Sequence, residues 1–253
     1  GAPHLEQLRD KVCETLAPLQ WGVSTSRGCA VIAHTARTYL HRHPDHVLLK
    51  LDITNAFNSQ SRGAFLRAVA DKLPTLLPLA AQFYRVPSSL YIRGKDKTCS
   101  IMSVSGQQQG DTMGPLLFSL GLQPILEAVQ QRFPCVIIRA YIDDIHIIGP
   151  DTHVAAAFAS LRRLLSAQNL HVSFGATKTS AWSPCWESDP SRASTSVVLG
   201  PLAGTTERIH KCVGGIKTLG TFIGTDDFVK AATMALIREP CPHVTGELPD
   251  GAP

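Results

Sequence analysis

Two adjacent carboxylates, Asp143 and Asp144, interrupt an otherwise apolar stretch between residues 135 and 149. β-Branched runs precede and follow them, which predicts a β-hairpin with the aspartates at its tip. Burying an ionised carboxylate without a partner is strongly unfavourable. No Lys or Arg flanks the tip closely in sequence, so a divalent cation with oxygen ligands is a natural partner. The alternative is a solvated turn in which the two aspartates only favour the bend.

A third carboxylate, Asp52, follows a short run dense in Leu and Val that begins at residue 46. This run predicts a buried strand that ends near Asp52. If that strand is a neighbour of the hairpin, the three carboxylates form one cluster, which is what a two-metal phosphoryl-transfer site requires. Alternatively, Asp52 caps the helix that follows it.

The remaining pattern supplies the elements that must position these carboxylates. Helical periodicity is expected over residues 5–16, 30–40, 61–73, 114–129 and 152–168, with a hairpin over 89–101, a strand over 170–174 and a polar connector over 183–196. Prolines after residue 73 predict a break and a short second helix. Helices alternating with short strands and hairpins predict an α+β domain around a mixed or antiparallel sheet.

Composition adds only broad limits. The 253 residues are 44% hydrophobic, enough for a substantial core, and the formal net charge of +4 is only weakly suggestive of a polyanionic partner. The seven cysteines are scattered and odd in number, which favours free thiols in a reducing, intracellular setting, cytoplasm or nucleus. No run approaches the roughly 20 apolar residues of a membrane span, and the first residues do not form a signal peptide.

Three segments in order resemble the first, second and third catalytic motifs of reverse transcriptases. They are Leu51-Asp-Ile-Thr-Asn-Ala-Phe-Asn-Ser59, Gln109-Gly-Asp-Thr-Met-Gly-Pro-Leu-Leu-Phe-Ser119 and Tyr141-Ile-Asp-Asp144. The wording of the first, together with the upstream segment 16–23, is similar to retrotransposons without long terminal repeats, particularly their site-specific lineages.

The resemblance continues downstream. Phe174-Gly-Ala-Thr-Lys-Thr179 resembles the fourth motif, and Thr218-Leu-Gly-Thr-Phe-Ile-Gly224 resembles the primer-grip segment, with Leu219 and Gly220 at its turn. In all, residues 16–225 can be matched to the family.

The fold that this resemblance implies is the palm of a right-hand polymerase, with partial fingers and at most the start of a thumb. Residues 1–45 would be partial fingers, 46–60 and 106–225 palm, 61–105 an insertion of the fingers, and 226–253 the start of a thumb or a tail. The chain would then be a single reverse transcriptase domain, truncated relative to a complete enzyme.

The resemblance also implies a metal site. Asp52 and Asp143 would be the principal ligands of two Mg²⁺ ions, which Mn²⁺ can replace, with Asp144 completing the negative cluster. Lys178 corresponds to the lysine that protonates or stabilises the departing pyrophosphate, a role that suits an ammonium group.

Further positions would bind the nucleotide. Phe57 matches the aromatic residue that lies beneath the sugar and excludes a 2′-hydroxyl, and the backbone amides after Ile53 could hold triphosphate oxygens. Gln109 and Gly110 match the segment that lies along the template and the incoming base. We expect Asp111 to cap the helix that follows, because an acidic group beside a triphosphate would repel it.

The function implied by the resemblance is RNA-directed DNA synthesis: deoxynucleotides are added to the 3′-hydroxyl of a DNA primer on an RNA template. Two alternatives remain open at this point. One is an inactive retroelement remnant that binds nucleic acid without copying it, and the other is an RNA-dependent RNA polymerase with a related palm. The intact aspartates count against the first, and Phe57 counts against the second.

Overall fold

A six-stranded sheet lies at the centre of the computed structural model, which describes residues 2–94, 98–108, 110–175 and 177–238. The strands are β1 (Val47–Ile53), β2 (Ser88–Arg93), β3 (Thr98–Ser103), β4 (Ile137–Tyr141), β5 (Asp144–Gly149), β6 (Val172–Ser173), β7 (Ser180–Trp182), β8 (His210–Lys211), β9 (Gly215–Thr218) and β10 (Thr221–Gly224). The central sheet has the order β4-β5-β1-β7-β8, and β6 pairs with the end of β1. Two further hairpins, β2–β3 and β9–β10, stand outside it.

Helices surround the sheet. They are α1 (Ala2–Leu16), α2 (Gly28–Arg42), α3 (Ala56–Ser59), α4 (Arg62–Lys72), α5 (Leu77–Tyr84), α6 (Gly114–Arg132), α7 (Asp151–Ser166), α8 (Cys185–Ser188), α9 (Pro190–Ser194) and α10 (Asp226–Arg238). A 3₁₀ turn at Pro74–Leu76 precedes α5, where the prolines predict a break. The predicted α+β class with a mixed sheet is confirmed, since β7 and β8 pair in parallel and the other ladders of the sheet are antiparallel.

The central strand β1 determines how the sheet is buried. It pairs antiparallel with β5 on one side and with β7 and β6 on the other, so Leu49 lies between Ile147 and Ala181. Leu49, Leu51 and Ile147 pack under α6 and α7 in the largest apolar cluster. Because side chains alternate along a strand, the residues between them face the opposite side, where Leu48 packs against α2 and the β9–β10 hairpin.

A separate apolar cluster holds the helices that lie away from the sheet. Its buried members come from α1, α4, α5 and α6 and include Leu16, Phe65, Tyr84 and Leu117. Phe65 and Tyr84 meet edge to face, with ring centroids 5.4 Å apart. This cluster fixes α4 and α5 relative to the start of α6, and hence relative to the loop that leads from β3 into α6.

Two predicted elements differ from the structure. The strand expected over residues 170–174 is only Val172–Ser173, because Asn169 has a positive φ of 62° and the chain reaches β1 only briefly. The expected polar connector over residues 183–196 contains α8 and α9. Trp186 is buried in the main cluster and Asp189 caps α9 by accepting from the amide of Ser191, so burial and capping order a segment that its polar composition predicts to be a loop.

Among the residues that the structure describes, no helix is both long enough and apolar enough to span a bilayer.

Burial of β1 predicts a large stability loss on truncation. Leu49→Ala removes a side chain with 0% exposure, so the free energy of unfolding should fall by about 2–5 kcal/mol. Leu90→Ala in the exposed β2–β3 hairpin is the matched control and should lose less than about 1 kcal/mol. Urea denaturation followed by circular dichroism measures both, and equal losses would show that β1 is not the centre of the cooperative core.

Candidate active site

The hairpin tip forms as predicted, with β4 and β5 joined by Ile142 and Asp143 and with Tyr141 paired to Asp144. Ile142 adopts a left-handed backbone, φ 58°, which is unfavourable for a β-branched residue and must be held by its surroundings. Gly22 supplies that support: a Cβ at this position would stand 2.6 Å from Cγ1 of Ile142. The segment before Gly22 also runs beside β4, where the backbone amide of Trp21 donates to the carbonyl of Ala140 at 2.8 Å.

Asp52 lies at the same end of the sheet. The antiparallel register aligns Leu51 with Ile145, so the next step along β1 brings Asp52 opposite Asp144. The backbone N–H of Asp52 donates to the hydroxyl of Thr179 at 3.2 Å. The sheet therefore gathers the three predicted carboxylates at one edge.

Their electrostatics show that they form one cluster. Desolvation by burial raises the pKa of Asp143, and the negative charge of Asp52 raises it further. Desolvation also raises the pKa of Asp144; Lys50 opposes this effect, while Asp143 and Asp52 add to it. Asp143 and Asp144 are thus harder to ionise, chiefly because they are desolvated and in part because acidic neighbours lie close, which is the environment that favours a bound cation.

Two lysines, one in β1 and one in the loop before β7, neutralise part of this charge. Lys178, predicted to act at the pyrophosphate, lies in the loop before β7 with Nζ 3.3 Å from Oδ2 of Asp52. Lys50 was not among the predicted site residues; its Nζ is 4.0 Å from Oδ1 of Asp144, and its side chain is only 16% exposed. The signal for it was present, because Lys50 precedes Asp52 by two positions and so projects from the same face of the strand.

Chemically the site offers hard carboxylate oxygens, which suit Mg²⁺ or Mn²⁺. Among the described residues, however, no three His, Cys, Asp or Glu side chains stand ready as a complete cage for one ion. The carboxylate of Asp52 is paired with the ammonium group of Lys178, so one of its oxygens is already engaged. The donor set therefore fits a divalent cation in type and charge, and ligation by all three groups requires side-chain rearrangement.

A buried histidine connects this edge with the β9–β10 hairpin. His146, two positions after Asp144, is fully buried, and its Nε2 lies 2.6 Å from the hydroxyl of Thr218. Burial lowers the pKa of His146 to about 4, so the ring is neutral at pH 7. Beyond Thr218 the predicted primer-grip residues Leu219 and Gly220 form a two-residue turn with φ of 49° and 73°, as a type I′ hairpin requires.

A cavity of about 390 Å³ lies at the junction of this hairpin and the sheet. Its lining includes Lys50, Thr218, Leu219 and Gly220. The predicted primer-grip turn and Lys50, which neutralises part of the carboxylate cluster, therefore border the same space.

Two of the predicted nucleotide-binding positions lie at the end of β1 and in the short helix that follows it. Phe57 in α3 is half-buried and stacks on Phe118, with ring centroids 5.1 Å apart and planes 25° from parallel. The side chain of Ile53 is buried, and the amide that follows it, from Thr54, donates to the carbonyl of His171 at 2.8 Å.

The loop between β3 and α6 carries the other predicted positions. Gly110 has φ 89°, a backbone conformation that favours glycine. No atom of the described residues would lie within 4 Å of a Cβ at this position, so the space beside Gly110 is open in that part of the structure. Gln109 lies outside the described residues. Asp111 accepts from the amide of Met113 at 2.9 Å, just before α6 begins. Met113 is the N-cap residue of α6 and no side chain caps it, so the expected capping by Asp111 is not formed and the carboxylate closes the turn that precedes the helix.

Comparison with known proteins agrees with this geometry. Residues 2–207 match the family described as reverse transcriptase (RNA-dependent DNA polymerase). A segment of 128 residues, 48% of the chain, is 34% identical to the 132 kDa protein of the retrotransposable element SLACS of Trypanosoma brucei gambiense. The chain spans only 11% of the length of that relative.

Solved structures share the fold. Two structures of apo telomerase from Candida tropicalis are similar, one of them truncated from its C-terminal domain, with TM-scores of 0.52 and 0.50 and 10% sequence identity in each case. They cover 68% and 88% of this chain, which in turn covers 39% of each telomerase chain. The predicted polymerase palm is thereby confirmed as a fold. From its matched residues, the chain belongs to the reverse transcriptase family.

Proposed function

We propose that this chain is the core of an RNA-directed DNA polymerase that transfers deoxynucleotides to a primer 3′-hydroxyl by two-metal catalysis. The observation that carries the proposal is the antiparallel pairing of β1 with β5, which brings Asp52 to the same sheet edge as Asp143 and Asp144. The reverse transcriptase family uses divalent metal ions, and a cluster of carboxylates at a strand end is suited to hold them.

The proposal includes a division of the chain into the parts of a right-hand polymerase. The central sheet with α6 and α7 would be the palm, formed by residues 46–60 and 106–225. Residues 1–45, with α1 and α2, would be part of the fingers, and residues 61–105 would be an insertion that ends in the exposed β2–β3 hairpin. Residues 226–253, of which α10 is described, would begin the thumb or form a tail.

In this proposal Asp52 and Asp143 hold two Mg²⁺ ions, and Asp144 adds negative charge beside them. Bound there, the ions would lower the pKa of the primer hydroxyl and neutralise the triphosphate. The protein's own contribution is positioning: the strand register sets the spacing of the carboxylates, and the Ile142 turn fixes Asp143. Lys178, 3.3 Å from Asp52, would exchange that contact for one with the departing pyrophosphate.

The nucleotide would lie between Phe57 and the loop that carries Gly110. Stacking on Phe118 holds the Phe57 ring in place, which a steric filter for the 2′-hydroxyl requires. The open space beside Gly110 would admit the base. Gln109 and the backbone after Ile53 are the other predicted contacts, with the base and with the phosphates respectively. The turn at Leu219 and Gly220 would contact the primer.

RNA template, DNA primer and deoxynucleoside triphosphates are the partners that this activity requires. Family membership favours DNA synthesis over the RNA polymerase alternative. The inactive remnant is the outcome that a direct assay must exclude.

Primer extension on a primed RNA template with Mg²⁺ tests the activity. The unmodified chain should add deoxynucleotides, and Asp143→Asn, which removes a charge but preserves shape, should reduce the rate by about a thousandfold, because metal ions supply several kcal/mol of transition-state stabilisation. Asp10→Asn in the exposed face of α1 is the matched control and should behave as the parent. Template binding without any product from the parent would instead support the inactive remnant.

Metal binding can be tested separately from activity, by thermal unfolding in EDTA. The folded-state pKa of Asp143 is raised, so the folded chain holds this proton more tightly and loses stability as pH rises from the ordinary value of 3.8 to the raised one. Asp143→Asn should therefore unfold at a higher temperature than the parent at pH 7, and the difference should vanish below pH 4.

Added Mg²⁺, in the absence of EDTA, should raise the Tm of the parent more than that of the variant. Equal shifts in the two proteins would show that Asp143 is not a ligand of the metal.

Sugar selection tests Phe57. Phe57→Val should increase incorporation of ribonucleotides relative to deoxynucleotides by about tenfold or more, because space opens where the 2′-hydroxyl would lie. Phe83→Val, in the exposed face of α5, removes the same atoms away from the site and should leave the ratio unchanged. An unchanged ratio in the Phe57 variant would assign this ring to the core alone.

A further inference from the structure

The loop of residues 105–112, which carries Gly110, is held by a buried arginine from α4. Arg62 is 8% exposed, and its guanidinium donates to the carbonyl of Ser103 at 2.8 Å, to the hydroxyl of Ser103 at 2.8 Å and to the carbonyl of Gly106 at 3.1 Å. These bonds go to the strand end and the first residues of the loop. An arginine that donates to two carbonyl groups of the same segment restrains the backbone between them and satisfies its own donors.

A tyrosine from α5 holds the far side of the same loop. Tyr84 is 2% exposed; its hydroxyl accepts from the amide of Gln108 at 3.2 Å and donates to Oδ2 of Asp111. The two bonds lie on either side of Gly110 in the sequence. Burial, and then the bond to Asp111, raise the pKa of Tyr84 to about 12, so the hydroxyl remains a donor under all ordinary conditions.

The arginine and the tyrosine form one unit. The guanidinium carbon of Arg62 lies 5.3 Å from the centroid of the Tyr84 ring, within range of a cation–π contact. The other carboxylate oxygen of Asp111 accepts from Met113, which joins the unit to the start of α6. Two helices and the loop are therefore connected through three side chains.

The same loop touches the backbone beneath Phe57. The amide of Gln107 donates to the carbonyl of Phe57 at 2.8 Å, and a Cβ on Gly106 would stand 2.1 Å from that carbonyl. Displacement of the loop must therefore disturb both the space above Gly110 and the backbone that carries Phe57.

We propose that Arg62, Tyr84 and Asp111 are positioning residues that hold the described loop residues 105–108 and 110–112 for binding of the incoming deoxynucleotide. The inference rests on the proposed polymerase function, since it names residues that act through Gly110 and Phe57. None of the three contacts a reacting atom. Their effect is on how well the nucleotide site is formed before the nucleotide arrives.

Tyr84→Phe is the sharpest test, because it retains the ring packing against Phe65 and Arg62 and removes only the hydroxyl. Single-nucleotide incorporation should show KM for the deoxynucleotide raised about fivefold with kcat within about twofold of the parent, and ribonucleotides should be discriminated less well. Tyr91→Phe makes the same chemical change at a 74% exposed position and should alter neither value.

The split between KM and kcat separates positioning from folding support. A role confined to stability would lower the active fraction, and hence kcat, but would leave KM and the sugar preference as in Tyr91→Phe; that result overturns the inference. If Tyr84→Phe does not fold, Asp111→Asn is measured, because it keeps an acceptor for Met113 but no longer presents a carboxylate to Tyr84. It should raise KM in the same way, and an unchanged KM in this variant overturns the inference as well.

The outcome also distinguishes the inference from the function on which it rests. An active parent whose variants keep the parental KM overturns the positioning role alone. A parent that adds no nucleotide overturns the polymerase proposal, and the positioning role with it.

Discussion

Negative charge at the end of a buried strand is the constraint on which the rest of the structure depends. Strand β1 is almost completely enclosed through Leu51, yet its next residue is Asp52, and β5 begins with Asp144 directly opposite. Such charges cannot be left uncompensated in a poorly hydrated setting. The chain supplies Lys50 from within β1 and Lys178 from the loop before β7, and the remaining negative charge suits a divalent cation.

The positions of the aspartates could be predicted from the sequence because charged residues interrupt runs of apolar ones. The aspartates are visible in the sequence since they break apolar runs, and the β-branched residues around Asp143 identify the hairpin. Lys50 could have been inferred from strand alternation, but its contact with Asp144 depends on the pairing of β1 with β5. The helices at 185–194 escaped prediction because their order comes from burial of Trp186, a tertiary effect that local composition does not record.

Long-range hydrogen bonds were the least predictable part of the site. Tyr84 and Asp111 are 27 residues apart, and His146 and Thr218 are 72 apart. No periodicity links such pairs, and each residue taken alone is an ordinary helix, loop or strand residue. These bonds join segments that the sequence presents separately: one attaches the loop that carries Gly110 to α5, and the other attaches the β9–β10 hairpin to β5.

Strand β5 combines three separate duties in six residues. Asp144 faces the carboxylate cluster and His146 holds the β9–β10 hairpin, while Ile145 and Ile147 on the opposite face fill the layer beneath α6 and α7. Because successive side chains point to opposite faces, a single-codon insertion or deletion inside this strand would exchange the two faces. Charge would enter the apolar layer, isoleucine would face the cluster and the hairpin would lose its anchor, all in one step. Substitution can modify these duties one at a time, but a change of length cannot, so relatives of this chain should differ in β5 by replacement of residues at constant length.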